Sequence, residues 1–167
     1  MAAVCDGVGG LQEGDHASKS TIQTLNNWFD YTVSRKVCGK DKNQLLDYLQ
    51  NEIEQCIQQQ NHVLCEYARD RGIRTGTTLT LLVIIDGEYL TAQIGDSRAY
   101  RIHNELIQLT EDQSVVAREV RAGRLTAEKA KHDKRRNMIL QCIGAMESIC
   151  IDYQRGYVSP EDVFFSA

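Results

Sequence analysis

The stretch TTLTLLVIIDGEYLTAQIGDSRAYRI, residues 77–102, decides the fold class. Thr, Leu, Val and Ile dominate its first nine residues, which is typical of a buried β-strand. Asp86–Gly87 follows, and this dipeptide favours a two-residue hairpin turn because such a turn needs positive φ angles. Residues 89–94 and 99–102 continue as strand, and residues 106–109 read as another. The stretch therefore predicts a three-stranded antiparallel meander.

Two helices are predicted upstream of these strands. Apolar residues recur every three or four positions from 15 to 33 and again from 41 to 71, so each segment would bury one face. Gly39 and Gly72 follow these segments, and glycine commonly ends a helix. A short apolar run at residues 2–5 precedes both helices and is predicted to be the end of a buried strand.

The last third of the chain is less regular. Residues 113–136 are charged and have a short-helical pattern, which predicts an insertion that projects from the domain. Residues 138–143 predict a short helix, and residues 149–153 and 163–165 predict strands. No repeat or linker divides the chain. We therefore predict one layered α+β domain with helices packed on a sheet.

Composition excludes several classes of protein. The formal net charge is -4 and the pI is about 5.6, so no basic excess is present to bind nucleic acid or an anionic membrane. No apolar run approaches the roughly 20 residues that span a bilayer. No secretory signal is visible, and the six cysteines contain no C-x-x-C pair. We therefore expect a cytoplasmic protein with reduced thiols that binds neither nucleic acid nor membrane.

Two aspartates stand out because each lies beside a glycine at a break in a strand. Asp6 ends the first apolar run, and Asp96 interrupts the strand-like pattern between residues 89–94 and 99–102. A carboxylate there can project from a sheet edge, and oxygen-only sites suit hard cations such as Mg²⁺ or Mn²⁺. The alternative is that both residues only form turns, because Asp–Gly and Gly–Asp are ordinary turn dipeptides. Spacing alone leaves both interpretations open.

Several segments, in order, resemble one known family. VCDGVGGLQEGDHAS (residues 4–18), GTTLTLLVI (76–84) and YLTAQIGDSRAYRI (89–102) are similar to the D-G, G-T-T and G-D-S-R motifs of the metal-dependent serine/threonine protein phosphatases, the PPM or type 2C family. The segment LIQLTEDQS with the residues that follow it to 144, and YVSPEDVFFSA (157–167), resemble further stretches of the bacterial type. The resemblance covers nearly the whole chain.

This resemblance implies a fold and a metal centre that periodicity does not show. The implied fold is a β-sandwich of antiparallel sheets flanked by helices, in four α-β-β-α layers. Asp6 matches the aspartate that bridges two divalent ions, Mg²⁺ or Mn²⁺, and Gly7 matches the residue whose carbonyl binds one of them. Asp96 matches an aspartate associated with a third, weaker site. No catalytic residue beyond these metal ligands is implied.

The implied reaction is hydrolysis of phosphoserine and phosphothreonine in proteins by a metal-activated water. The substrates would be phosphorylated proteins, typically targets of a Ser/Thr kinase. The insertion at about 113–136 matches the family's flap, and its basic residues, Arg135 and Arg136 among them, would lie near the substrate. The alternative for this segment is a solvated surface, because Glu128 and Asp133 are interspersed with the basic residues.

Two positions depart from the family pattern. Val8 stands where bacterial members have methionine and some eukaryotic members have histidine, and valine cannot transfer a proton. Gln113 stands where the L-T-x-D-H-S pattern has histidine, so a titratable group is lost. If that histidine assists catalysis, this protein would be slowed.

The resemblance also implies ligands that these 167 residues lack: an arginine and an acidic residue before the first strand, and two aspartates after the last. We therefore expect residues 1–167 to be a single partial domain, truncated at both ends. As an isolated chain it would bind metal poorly and hydrolyse little. The alternative is a non-catalytic regulatory or binding module that retains the phosphatase fold.

Overall fold

A computed structural model describes residues 1–8, 11–33 and 42–167. Strands and helices occur in the order expected for an α+β domain, with the two long helices between the first and second strands. The elements are β1 (Ala2–Val4), α1 (Gly14–Trp28) with a π-helical turn (Phe29–Val33), α2 (Lys42–Arg71), β2 (Leu79–Ile85), β3 (Glu88–Ile94), β4 (Ala99–Ile102), β5 (Leu106–Gln108), α3 (Val115–Arg121), α4 (Ala127–His132), β6 (Asp152–Tyr157) and β7 (Val163–Ser166).

The strands form two antiparallel sheets, with orders β1-β2-β3-β6 and β5-β4-β7. The predicted hairpin is confirmed: β2 and β3 pair from Leu79↔Ile94 to Ile85↔Glu88. Asp86 has a φ of 50° and Gly87 one of 81°, as the two-residue turn requires.

The predicted three-stranded meander is wrong, because β3 and β4 belong to different sheets. The chain leaves the first sheet at Gly95, whose φ is 99°, and β4 then pairs with β5 and β7. Alternating apolar residues show that a segment is a strand, but they do not specify its partner. The strand-like pattern on both sides of Gly95 therefore could not reveal the change of sheet.

Helices α1 and α2 cover one face of the first sheet. Leu49, Ile53 and Ile57 of α2 are fully buried, and they belong to one apolar cluster with Leu79 and Leu81 of β2. These three α2 residues are four positions apart, slightly more than one helical turn, so they lie on one helix face. Burial of this face is what holds α2 on the sheet.

A second, smaller core joins the two sheets. Tyr89 of β3 and Ala99 of β4 are buried in it, and the rings of Tyr89 and Phe164 lie 5.6 Å apart. The outer face of the second sheet stays open in the described chain: Leu106 and Val163 are 60% and 57% exposed. The predicted α+β fold of helices and antiparallel sheets is therefore confirmed.

The last third of the chain departs from the sequence prediction in two places. The short helix predicted at 138–143 is wrong: this segment forms isolated bridges, Ser114↔Ile139 and Thr77↔Ile143, because its backbone pairs with residues that are distant in the sequence and lie outside the named strands. The strand predicted at 149–153 begins only at Asp152. The predicted helix end at Gly39 lies outside the described residues. No helix in the described part of the chain is long and apolar enough to cross a membrane.

Candidate metal centre

Asp6 lies just after β1, and the G-T-T segment holds its backbone. The Asp6 amide donates to Thr78 Oγ1 at 3.1 Å, and its carbonyl accepts from the Thr78 amide at 2.9 Å. The Thr77 hydroxyl donates to the same carbonyl at 3.0 Å. Three hydrogen bonds from two adjacent threonines therefore fix the backbone from which the Asp6 carboxylate projects.

Gly7 is placed where no other residue fits. A Cβ atom at this position would lie 2.6 Å from the backbone carbon of Gly14, so glycine lets the start of α1 approach the strand. Gly7 forms an isolated antiparallel bridge with Thr77. The hydrogen bonds of this bridge are made by the neighbouring residues: Thr78 N donates to Asp6 O, and Val8 N donates to Gly76 O. In such a non-hydrogen-bonded pair the Gly7 carbonyl points away from the partner strand. It can therefore be offered to a ligand.

Asp96 sits in the turn that carries the chain from β3 to β4. The Gln93 side chain donates to the carbonyls of Gly95 at 3.1 Å and Ser97 at 2.6 Å. Thr78 Oγ1 lies 3.2 Å from Ser97 Oγ, so the threonine that holds Asp6 also holds this turn. The Thr78 side chain therefore links the backbone at Asp6 to the turn that carries Asp96.

The two aspartates line one pocket of about 470 Å³. Burial raises the pKa of the half-buried Asp96, and the nearby carboxylates of Asp112 and Asp6 raise it further. Negative charge is thus crowded there, which a cation would relieve. Sequence reasoning singled out three of the residues that line the pocket, Asp6, Val8 and Asp96. It did not single out the others, which are Thr78, Asn137 and Ile139.

The residues that sequence reasoning missed had a weak signal. Thr78 belongs to the G-T-T segment and Asn137 to the R-N run, both quoted for the resemblance, but neither has metal-ligand character alone. Within residues 1–8, 11–33 and 42–167, no three His, Cys, Asp or Glu side chains form a group that could hold a metal. Asp6 and Asp96 are therefore the carboxylates that the described chain brings to this pocket.

Gln113 points into the protein, and its side chain holds the turn before Asp96. Its Oε1 accepts from the Gly95 amide and from Gln141 Nε2, both at 2.8 Å. Its Nε2 donates to Asp152 Oδ2 at 2.7 Å and to the Gln93 carbonyl at 3.3 Å. The side chain does not line the pocket of Asp6 and Asp96. Its contacts are those of a residue that positions backbone.

The two flap arginines have different surroundings. Arg135 pairs with Asp133 at 2.9 and 3.0 Å, and the hydrogen bonds from Arg135 lower the pKa of Asp133 to about 2. Arg136 instead lines a cleft that Asp96 also borders. Arg98, two residues after Asp96, binds Asp112 in a bidentate pair at 2.7 and 2.5 Å.

The chain is similar in sequence to a family of known proteins. The family model described as Protein phosphatase 2C matches residues 1–146. The chain belongs to this family. Protein phosphatase PhpP of Streptococcus pneumoniae is 36% identical over 155 residues, which cover 92% of this chain and 59% of that protein. Serine/threonine phosphatase stp of Listeria innocua is 28% identical, covering 91% of this chain and 58% of that protein.

Solved phosphatase structures share the fold. Serine/threonine phosphatase Stp1 from Staphylococcus aureus superposes with a TM-score of 0.79 at 28% identity, covering 93% of this chain and 59% of that one. The catalytic domain of the phosphatase PstP, in complex with two manganese ions, gives 0.78 at 24% identity, covering 97% and 64%, a likeness of fold alone. The chain spans 58% to 59% of the length of these two curated relatives.

Proposed function

We propose that the pocket shared by Asp6 and Asp96 is a metal centre that serves the hydrolysis of phosphoserine and phosphothreonine in proteins. One observation supports this most: two aspartates far apart in the sequence, each at a glycine-marked strand break, line one pocket of about 470 Å³. Membership of the phosphatase family supports the reaction type.

The donors present have the right chemistry for a hard cation. Two carboxylates and the Gly7 carbonyl are oxygen ligands, which Mg²⁺ and Mn²⁺ prefer, and no His or Cys side chain of the described chain lines the pocket. By the family resemblance, Asp6 and Gly7 would hold a pair of Mg²⁺ or Mn²⁺ ions, and Asp96 would contribute to a third site. Two divalent ions repel each other and need more negative charge than two carboxylates. We therefore expect these 167 residues to bind metal weakly by themselves.

The chemistry divides between the ions and the chain. Bound divalent ions lower the pKa of a coordinated water and offset charge on phosphoryl oxygens. The chain orients the ligands: Thr78 holds the backbone of Asp6, and the Gln93 side chain holds the turn of Asp96. Asn137 borders the pocket with an amide that can donate a hydrogen bond to a phosphoryl oxygen. Val8 offers no proton, so the leaving group must take its proton from water or from another group.

The cellular role follows from the substrate class. Phosphorylated proteins would be supplied by Ser/Thr kinases, and the protein would act in cytoplasmic signalling. Residues 113–136 would be a substrate-proximal flap of a single partial phosphatase domain at 1–167. The position of Arg136 beside a cleft that reaches Asp96 supports this role for the flap, and the pairing of Arg135 with Asp133 gives Arg135 a lesser part.

A second candidate is a binding module that retains the fold without turnover. It is favoured by the observation that no third acidic side chain of the described residues joins Asp6 and Asp96. Such a module would bind a phosphopeptide and leave its phosphate in place.

Calorimetric titration with Mn²⁺ tests the site, and phosphate release from a phosphothreonine peptide tests the reaction. We expect saturable binding of about 10⁻⁴ M or weaker, as for sites with few charged ligands. Asp6→Asn and Asp96→Asn should each weaken it at least tenfold, whereas Asp70→Asn, an exposed site at the end of α2, should not. Equal affinity in all four proteins would refute the metal centre. Peptide binding without Mn²⁺-dependent release would favour the binding module.

A further inference from the structure

A cleft of about 540 Å³ lies between the two short helices α3 and α4 on one side and, on the other, the turn before β4 and the end of β5. Ser114 and Thr126 cap the two helices, accepting hydrogen bonds from Ala117 N at 3.2 Å and Lys129 N at 3.3 Å. The walls across from the helices include Arg98 and Gln108. We call this space the flap cleft. Its volume lies within the usual range for ligand sites.

The flap cleft adjoins the metal pocket. Asp96 lines both spaces, so a chain whose phosphate lies at Asp6 and Asp96 has its flanking residues next to the flap cleft. The cleft is therefore placed to contact residues that flank a phosphorylated side chain.

The floor of the flap cleft is apolar and not buried by the rest of the protein. Val116, Ala117 and Val120 from α3 and Ala127 and Ala130 from α4 line it. Neither helix contains a buried residue. A row of partly exposed small aliphatic side chains marks a surface that a ligand can cover, and the small side chains let a polypeptide backbone approach closely.

The rim of the flap cleft carries positive charge that the protein does not neutralise. Arg98 is paired with Asp112, and Arg121 lies 2.7 Å from Glu111. Across the cleft, no carboxylate in the described part of the chain pairs with the remaining two cations, Lys131 and Arg136. An occupant with negative charge would complete this arrangement.

We infer that the flap cleft binds the polypeptide on one side of the phosphorylated residue and selects segments with acidic side chains there. Small side chains of the substrate would rest on the floor formed by α3 and α4, and a glutamate or aspartate would pair with Lys131 and Arg136. This inference rests on the proposed function, because the phosphate must lie in the pocket of Asp6 and Asp96 for the flanking residues to reach the cleft.

The test compares two fluorescein-labelled phosphothreonine peptides by anisotropy in 50 mM salt. One has two glutamates on each side of the phosphothreonine, and its match has glutamines there. We expect the acidic peptide to bind about 3- to 10-fold more tightly, as two partly exposed ion pairs provide. The ratio should fall in 500 mM salt, because salt screens such pairs.

Charge-matched variants locate the effect. The double variant Lys131→Gln/Arg136→Gln should bring the ratio of affinities close to one. Lys129→Gln/Lys134→Gln removes the same charge from exposed positions of the flap that do not line the cleft, and it should keep the ratio. A ratio near one in the unsubstituted chain, a ratio that survives Lys131→Gln/Arg136→Gln, or no measurable binding of the acidic peptide would overturn the inference.

Phosphate release in Mn²⁺ from the same peptides separates this inference from the proposed function. Release without preference for the acidic peptide would overturn the role of the flap cleft and leave the proposed hydrolysis standing. Preferential binding that depends on Lys131 and Arg136, without even slow release at saturating Mn²⁺, would support the flap cleft and contradict the hydrolysis.

Discussion

Replacing Gln113 by alanine should destabilise the protein strongly, because this side chain satisfies several buried polar groups. Gln113 is 6% exposed and makes four hydrogen bonds of 2.7 to 3.3 Å. Two of its partners are backbone groups of buried residues, the Gly95 amide and the Gln93 carbonyl. A buried polar group left without a partner costs about 1–3 kcal/mol. The other two partners keep alternatives, since Asp152 is exposed and Gln141 still bonds the Cys150 backbone.

We therefore expect Gln113→Ala to lower the free energy of unfolding by about 2–5 kcal/mol, a large part of the roughly 5–15 kcal/mol typical of a domain. Urea unfolding of the 167-residue chain, followed by fluorescence of its one tryptophan, Trp28, measures this change, since Trp28 is 8% exposed in the core. With a slope of about 2 kcal/mol/M, the midpoint should fall by about 1–2.5 M. Gln154→Ala, at an exposed site on β6, should change stability by less than about 0.5 kcal/mol. A loss below about 1 kcal/mol in Gln113→Ala would refute the assignment of Gln113 as the support of this turn.

Three further predictions test the fold. Gly95→Ala should cost about 2–5 kcal/mol in urea unfolding, because a Cβ would lie 2.6 Å from a threonine methyl at a φ of 99°; Gly87→Ala has open space around it and should cost about 1–2 kcal/mol. Ile53→Ala should cost about 2–5 kcal/mol by the same assay, since Ile53 is fully buried between α2 and the first sheet; a loss under about 1 kcal/mol would contradict that packing. In the folded chain at pH 8, iodoacetamide should modify exposed Cys150 well before half-buried Cys5, because burial raises the pKa of Cys5 to about 12; mass spectrometry showing equal rates would contradict this difference between the two thiols.

Much of the local structure could be predicted from the sequence. The helix over residues 42–71 follows from apolar spacing, and the β2–β3 hairpin follows from Asp86–Gly87 between two apolar runs. Apolar spacing misled the prediction of a short helix at residues 138–143. Its apolar residues are spaced like those of a helix, yet Ile143 pairs with Thr77, more than sixty positions earlier in the chain.

The candidate site shows the same division. The motifs marked Asp6 and Asp96, but spacing left open whether they were turn residues or ligands, and only the structure placed them in one pocket. The sequence likewise put Arg135 and Arg136 together as neighbours in the flap. In the structure, Arg135 is engaged by Asp133 and Arg136 faces the flap cleft.

By itself, the sequence determined which segments are helix or strand, where the chain turns sharply, and which family it resembles. Those properties depend on side-chain period and backbone preference over a few residues. The tertiary structure alone decided that β4 leaves the sheet of β3, that Thr78 ties the two aspartate turns together, and that Gln113 supports one of them. These outcomes depend on hydrogen bonds and packing between residues far apart in the chain, and local pattern carries no information about such partners.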